Sequence, residues 1–400
     1  MKNCIQGLII LGVEMAFFLL CISIFIMFLQ PTAIFPWLEP YQPLRNSAIL
    51  ALVAYIFCGK KSNVSFFKNK INILFLLFIV TQIVSAAQIW LTGAWEIFNS
   101  WLKMGIIYFL IVKSVTNEKK VIFLTLSIVL GICYLSYYSI SNFVVHYIPG
   151  IRVGGFGWYE GSNDLSIILV SVIPLALLIA NSIRSTILRY LFILLAGVLA
   201  FNVLFTGSRN GLLGLFIVGT ISLLFFKKVP VFLKFMLMGI FLFAIITVGF
   251  TNILHRSDLS TGFIGDSSSE DRLDQWKTGL HMLRQKPLLG IGPGEFASRA
   301  ADYGGIRGLA PHNTLIQVFA ETGLLGGIVF SLFSFLPLFE LRQLKEKNVN
   351  AVNIYKFLFS ALTGFWVCAF FSNRYEFYIL YVLVALLVAV RSNLIKEDAL

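Results

Sequence analysis

The chain has 400 residues, 58% of them hydrophobic and only 12% charged, and its mean hydropathy is +0.86. A soluble domain carries about a quarter charged residues, so this composition excludes an ordinary water-soluble domain and makes the lipid bilayer the main solvent. The net charge of +12 would suit nucleic acid, but most Lys and Arg sit in short links between apolar runs, where they set topology.

Taken in chain order, the apolar runs predict twelve helices, over 8–29, 46–59, 71–92, 97–113, 121–143, 163–181, 187–206, 211–226, 230–250, 313–339, 354–372 and 375–391. The first is too long for a signal-peptide core and lacks a small-residue cleavage site, so it reads as an anchor. The second is short, and reads as tilted or re-entrant. Basic residues gather at alternate links: Lys60, Lys61, Lys68 and Lys70; Lys113, Lys119 and Lys120; Arg184 and Arg189; Lys227 and Lys228; Arg342, Lys345 and Lys347. The opposite short links and helix ends hold only Arg45, Lys103, Arg152, Arg209 and Arg374. That bias expects both termini in the cytoplasm. The chain then divides into helices one to nine (1–250), a long outer excursion (251–312), and helices ten to twelve with a cytoplasmic tail (313–400). The excursion is basic, yet too long for positive-inside counting to govern, so its arginines need another explanation. The five cysteines (Cys4, Cys21, Cys58, Cys133 and Cys368) lie in or beside apolar runs without a CxxC, which argues against a disulfide framework or a zinc site.

The polar residues of interest fall on the outer side. Arg209, in Thr206-Gly207-Ser208-Arg209-Asn210-Gly211, stands at a membrane boundary, where a cation must snorkel or meet an anion. Ser267 with Glu270 fits a capping box for a helix running to about Gln285, before Pro287; Arg272 would then lie in its first turn, where the helix dipole adds to its attraction for an anion. The bland reading is a surface helix with Trp276 and Leu280 in lipid. Gly290-Ile291-Gly292-Pro293-Gly294 lacks a preceding strand and reads as a turn rather than a phosphate loop. Pro311-His312-Asn313-Thr314 puts His312 at the outer N-terminal end of a membrane helix, where the dipole favours neutral imidazole and leaves a lone pair for base catalysis. Glu321 follows on the opposite side of that helix, roughly 13 Å deeper, and an intramembrane acid is a functional candidate. A further outer loop brings Arg152, several glycines, and Asn163-Asp164 at the start of the next helix. No HExxH, acidic cluster or GxSxG elbow is present, so neither a metal nor a serine nucleophile is indicated.

In order, these motifs resemble the O-antigen ligase and O-antigen polymerase family of bacterial envelope glycosyltransferases. The resemblance rests on Ser208-Arg209-x-Gly211, on Ser269-x-x-Arg272-x-x-x-Trp276 with residues 287–296, and on Pro311-His312-Asn313-x-Leu315-x-Gln317 through Glu321-x-Gly323. It is specific over about 205–330. It implies an all-α, GT-C-like membrane bundle with short helices in one long periplasmic loop, sited in the bacterial cytoplasmic (inner) membrane. It further implies transfer of a glycan from undecaprenyl diphosphate to an acceptor, either a lipid A core or another repeat unit, at the periplasmic face. Arg209 and Arg272 would hold the diphosphate and His312 would deprotonate the acceptor, with Arg152, Asn163, Asp164, Asn313 and Glu321 binding substrate. No metal or other cofactor is called for, because guanidinium forks neutralise the leaving group, and in-line attack would invert the anomeric centre. A transporter is the alternative from another class; it would show inverted repeats and midplane polar groups, and the sequence shows no repeat.

Overall fold

The computed structural model describes residues 2–58, 65–145, 152–225, 231, 232, 239, 243, 269–340 and 348–395, with residues 2–13, 58, 269 and 270 described by their backbone alone. Among them the secondary structure is entirely helical. The principal helices are α1 (Lys2–Leu29), α2 (Pro43–Cys58), α3 (Lys70–Ala87), α4 (Leu91–Ser114), α5 (Glu118–Val145), α6 (Ser162–Ser182), α7 (Thr186–Phe205), α8 (Arg209–Phe225), α9 (Ser269–Gln285), α10 (Thr314–Glu340), α11 (Val349–Ala369) and α12 (Tyr378–Leu394). Seven of these, α3 to α7 with α10 and α11, are long and apolar enough to cross a bilayer by length and composition; residues 14–29, α8 and α12 are shorter apolar helices. The ninth expected span, 230–250, lies almost wholly outside the described residues, as does Ser267 of the expected capping box.

Local chemistry sets the helix starts. Asn69, Ser185, Asn313 and Asn348 each accept a backbone N–H of the first turn through a side-chain oxygen, opening α3, α7, α10 and α11; this satisfies donors that a helix cannot satisfy itself. α6, α11 and α12 form the interior. Every residue of α12 from 379 to 390 is buried, so it is enclosed by protein. α6 packs on α5, α7, α8 and α11, and α12 packs on α4 and α11. α7 is the contrast. Ile187, Leu188, Leu191 and Leu194 are exposed, as suits a helix facing lipid.

The two ends of the bundle differ in chemistry. At one, Glu340 ending α10 forms an ion pair with Arg391 and lies 4.0 Å from Lys70, and Asn393 donates to the carbonyls of Val112 and Val115. At the other, the starts of α6, α8, α10 and α12 meet the ends of α7 and α11. The candidate residues lie there.

α10 is broken. At Gly323 the backbone turns to φ 67°, ψ −167°, so four peptide groups lose their helical partners. Residues 287–292 replace them: Ile291 and Gly292 donate N–H groups to the carbonyls of Ala320 and Glu321 at 3.0 and 2.9 Å, while Leu324 and Leu325 donate to Pro287 and Leu288 at 2.7 and 3.3 Å. Irregular backbone at membrane depth survives only when protein satisfies it this way. Ser85 of α3 donates to the Leu289 and Glu321 carbonyls, and Gln88, just past the end of α3, donates to the Leu289 and Gly290 carbonyls.

Candidate functional site

Arg209 opens α8, exposed, at the first turn of the helix. The residue before it is locked in place: Ser208 Oγ donates to Asn163 Oδ1 at 2.8 Å, receives Ser166 Oγ at 3.1 Å and accepts the Gly211 N–H at 3.2 Å. The arginine therefore projects from a rigid junction between α6 and α8. Arg152 runs alongside: its Cγ lies 3.6 Å from the Cβ that Gly207 would carry, two residues from Arg209. Asn163 thus holds the Arg209 turn through Ser208.

Asp164, next in the chain, is buried and binds Arg374 through both carboxylate oxygens, to Nε and Nη2 at 2.5 Å each. Arg374 also packs its guanidinium over the Phe377 ring at 5.4 Å. Burial works against the cation, but the paired carboxylate prevails and holds the guanidinium above its ordinary value. The Arg374 backbone N–H donates to Thr314 Oγ1 at 3.1 Å, and Thr314 Oγ1 donates to the Ser372 carbonyl at 2.8 Å. This carries the network to the first residue of α10. Arg374 had read from sequence only as a basic residue on a short outer link. The signal that marks it is an arginine in Ser372-Asn373-Arg374-Tyr375-Glu376, a polar run between two apolar helices, where an ion needs a partner.

His312 lies two residues before α10 and is half-buried, with φ 48°, a left-handed conformation that a non-glycine residue adopts at a cost. Asn313 is the cap: its Oδ1 accepts the Ile316 N–H at 3.0 Å. The expected loop helix is α9, ending at Gln285 as its sequence indicated, and Arg272 stands in its first turn, half-buried. One turn further along α9, Trp276 donates its indole N–H to the Pro311 carbonyl at 2.8 Å. The indole is thus tied into the protein, whereas Leu280 is exposed. Residues four apart share a helix face. Arg272 lies one turn before Trp276 on α9, and Trp276 meets the peptide that precedes His312.

Covalent neighbours and hydrogen bonds therefore join Arg209, Asn163, Asp164, Arg374, His312 and, through α9 and Trp276, Arg272 at one end of the bundle, with Arg152 packed beside the Gly207 turn. Glu321 occupies a different place. It is completely buried, and its carboxylate receives the Gly294 and Phe296 N–H groups, Gln317 Nε2 and the Tyr375 hydroxyl, at 2.8–3.4 Å. Those donors clamp the glycine turn, the broken helix and the link before α12 together. The turn is committed to the fold: the N–H groups of Ile291, Gly292 and Gly294 already have partners, so it cannot cradle a phosphate.

A cavity of about 730 Å³ opens beside the Asp164–Arg374 pair, bounded by the 157–161 loop, the 373–378 link and one face of α4. Glu376 opens into it as an exposed side chain, yet atoms crowd around the carboxyl; that burial raises its pKa, against the Tyr375 hydroxyl and the Arg374 charge, which favour the anion. Among the described residues no group of three His, Cys, Asp or Glu side chains is placed to hold a metal.

Residues 192–331 match the family model for O-antigen ligase, which bears out the family resemblance read from the motifs. The matched span includes Arg209, Arg272, His312 and Glu321, whereas Arg152, Asn163, Asp164 and Arg374 lie outside it. A protein of Rickettsia conorii provisionally named a polysaccharide ligase is 25% identical over 181 residues. That match covers 42% of this chain and 43% of the relative, so the chain spans less than half of the relative's length.

Proposed function

Starting from the O-antigen ligase domain at residues 192–331, we propose that the protein is a membrane glycosyltransferase of surface polysaccharide assembly. It takes a glycan from undecaprenyl diphosphate and transfers it to an acceptor hydroxyl, of a lipid A core or of a further repeat unit, at the periplasmic face of the cytoplasmic membrane. Arg209 and Arg272, with Arg152 alongside, hold the diphosphate. His312 takes the acceptor proton. Asn163, Asp164 and Asn313 position these groups.

The chemistry needs little else. A diphosphate is a good leaving group, so the barrier lies in neutralising its growing charge and in freeing the acceptor oxygen of its proton. Guanidinium groups match phosphate oxygens bidentately and remain charged throughout. A neutral imidazole accepts the proton as the oxygen attacks C1, and the C1–O bond to the diphosphate breaks on the opposite face, inverting the anomeric centre. In this mechanism no metal ion is required.

The observation that carries the reading is the link from α9 to α10. The Trp276 indole on the Pro311 carbonyl brings the arginine-bearing face of the loop helix to the residue before His312, 40 positions further along the chain than Arg272. Glu321, expected as a substrate ligand, is assigned instead to holding the glycine turn under this assembly, because its oxygens are taken by four donors from the chain.

The test is the surface glycan profile of a strain lacking the gene and complemented with the His312→Ala variant. Loss of transfer with normal amounts of membrane-inserted protein is the expected outcome; full transfer removes His312 as the base. The same deletion separates the two acceptors. Lipid-linked chains accumulating without any attached polymer identifies a ligase, whereas a single attached repeat without a ladder identifies a polymerase.

A further inference from the structure

The cavity beside Asp164 and Arg374 has a lining unlike the arginine-bearing turn. Trp158 is 44% exposed, and its ring is braced edge-on by Tyr378, with centroids 4.4 Å apart at 81°. Its backbone N–H donates to Gln30 Oε1 at 2.9 Å, and the next residue, Tyr159, packs edge-on against Phe377 at 5.5 Å. The indole is therefore rigid and lines the cavity. Glu160 and Glu376 line it too, and both are exposed. The ion pairs among the described residues leave out Glu160, and the Arg374 fork donates its hydrogen bonds to Asp164. The Asp164–Arg374 pair being neutral, the two glutamates leave the described lining acidic.

That charge decides what fits. A polyprenyl tail would strand carboxylates in hydrocarbon, and a diphosphate would be repelled by both of them. A sugar ring suits the lining on both counts: its C–H face stacks on an indole, and its hydroxyls donate to carboxylates and to the Asn373 amide. The volume is within the roughly 300–1,000 Å³ typical of small-ligand pockets.

We propose that this cavity seats a saccharide ring of the substrate, stacked on Trp158 and hydrogen-bonded by Glu160, Glu376 and Asn373, and that it admits neutral or amino sugars while rejecting uronic acids. The proposal rests on the transferase reading above and adds its sugar selectivity. The Arg374 backbone, bonded to Thr314 at the head of α10, sets this seat next to the His312 turn.

Saturation-transfer NMR on the full chain in nanodiscs tests it directly, with methyl glucoside, N-acetylglucosamine, glucosamine and glucuronate as probes. Signal is expected from at least one neutral or amino sugar and none from glucuronate. Trp158→Ala should abolish the signal and Trp158→Phe should keep it, since the aromatic face remains. Replacing both acids, Glu160→Gln with Glu376→Gln, should raise glucuronate binding at least about tenfold, given two like charges at close range. The proposal is overturned by silence across the panel, by signal indifferent to Trp158→Ala, or by glucuronate binding as well as the neutral sugars. Undecaprenyl diphosphate carrying a sugar, compared with the sugar-free lipid, identifies the source. If only the glycosylated lipid displaces the probe, the seat takes the donor sugar; if neither displaces it, the seat takes the acceptor. His312→Ala should retain probe binding. Should that variant also retain transfer, the transferase mechanism fails while the saccharide seat stands.

Discussion

Replacing Gly323 with Ala is the sharpest test of how the site end of the bundle is built. The residue sits at φ 67°, ψ −167°, a region essentially reserved for glycine and costing about 1–3 kcal/mol otherwise. Its new Cβ would lie 2.3 Å from the Leu288 oxygen, 2.4 Å from the Leu288 carbonyl carbon and 2.6 Å from the Leu289 nitrogen. All three are backbone atoms, so the 287–292 segment must move by more than about 1 Å to restore ordinary carbon contacts. Movement of that size breaks some or all of the four N–H···O bonds across the helix break, each contributing about 0.5–1.5 kcal/mol net. With all four bonds lost the two effects amount to roughly 3–9 kcal/mol, which for a chain of 400 residues corresponds to a fall in melting temperature of roughly 4–11 °C.

Gly290 faces the same junction from the other side, with φ 69° and a virtual Cβ 2.4 Å from the Glu321 carbonyl carbon. Gly290→Ala should therefore cause a loss of similar size. Because each substitution disrupts one shared contact, the double variant should be little worse than either single one. The assay is thermal unfolding of detergent-solubilised protein followed by fluorescence-detected size exclusion. An unchanged melting temperature for Gly323→Ala would refute the account of the break, and strict additivity in the double variant would refute the shared junction.

Three further outcomes follow from the site. Arg209→Lys should reduce transfer nearly as much as Arg209→Ala, because an ammonium lacks the planar fork that binds two phosphate oxygens; wild-type turnover of the lysine variant counts against bidentate binding. Trp276→Phe keeps the ring but removes the hydrogen bond to the Pro311 carbonyl, so it should lower turnover about tenfold while shifting stability by only about 1 kcal/mol; equal turnover would show that this bond does not position Arg272 against His312. Transfer should survive exhaustive chelation; its loss under chelator, restored by a divalent cation, would overturn the metal-independent mechanism.

Much of the molecule is legible in its sequence, for one reason. In a bilayer an unbroken helix satisfies nearly all its backbone polar groups by itself, so most spans appear as local apolar runs of about the same length. The helices, the extent of α9 to Gln285 and the place of His312 before α10 are all local features of this kind. The motifs around Arg209, Arg272 and His312 were local enough to expose the family as well. What remained hidden joins residues far apart in the chain. Arg374 and Asp164 are 210 positions apart, Trp276 and Pro311 are 35 apart, and Gly292 completes a helix break that no periodicity announces, since the apolar pattern resumes directly after Glu321-Thr322-Gly323. Hydrogen bonds and ion pairs of this sort are chosen by which helix ends meet, and only the packed bundle decides that.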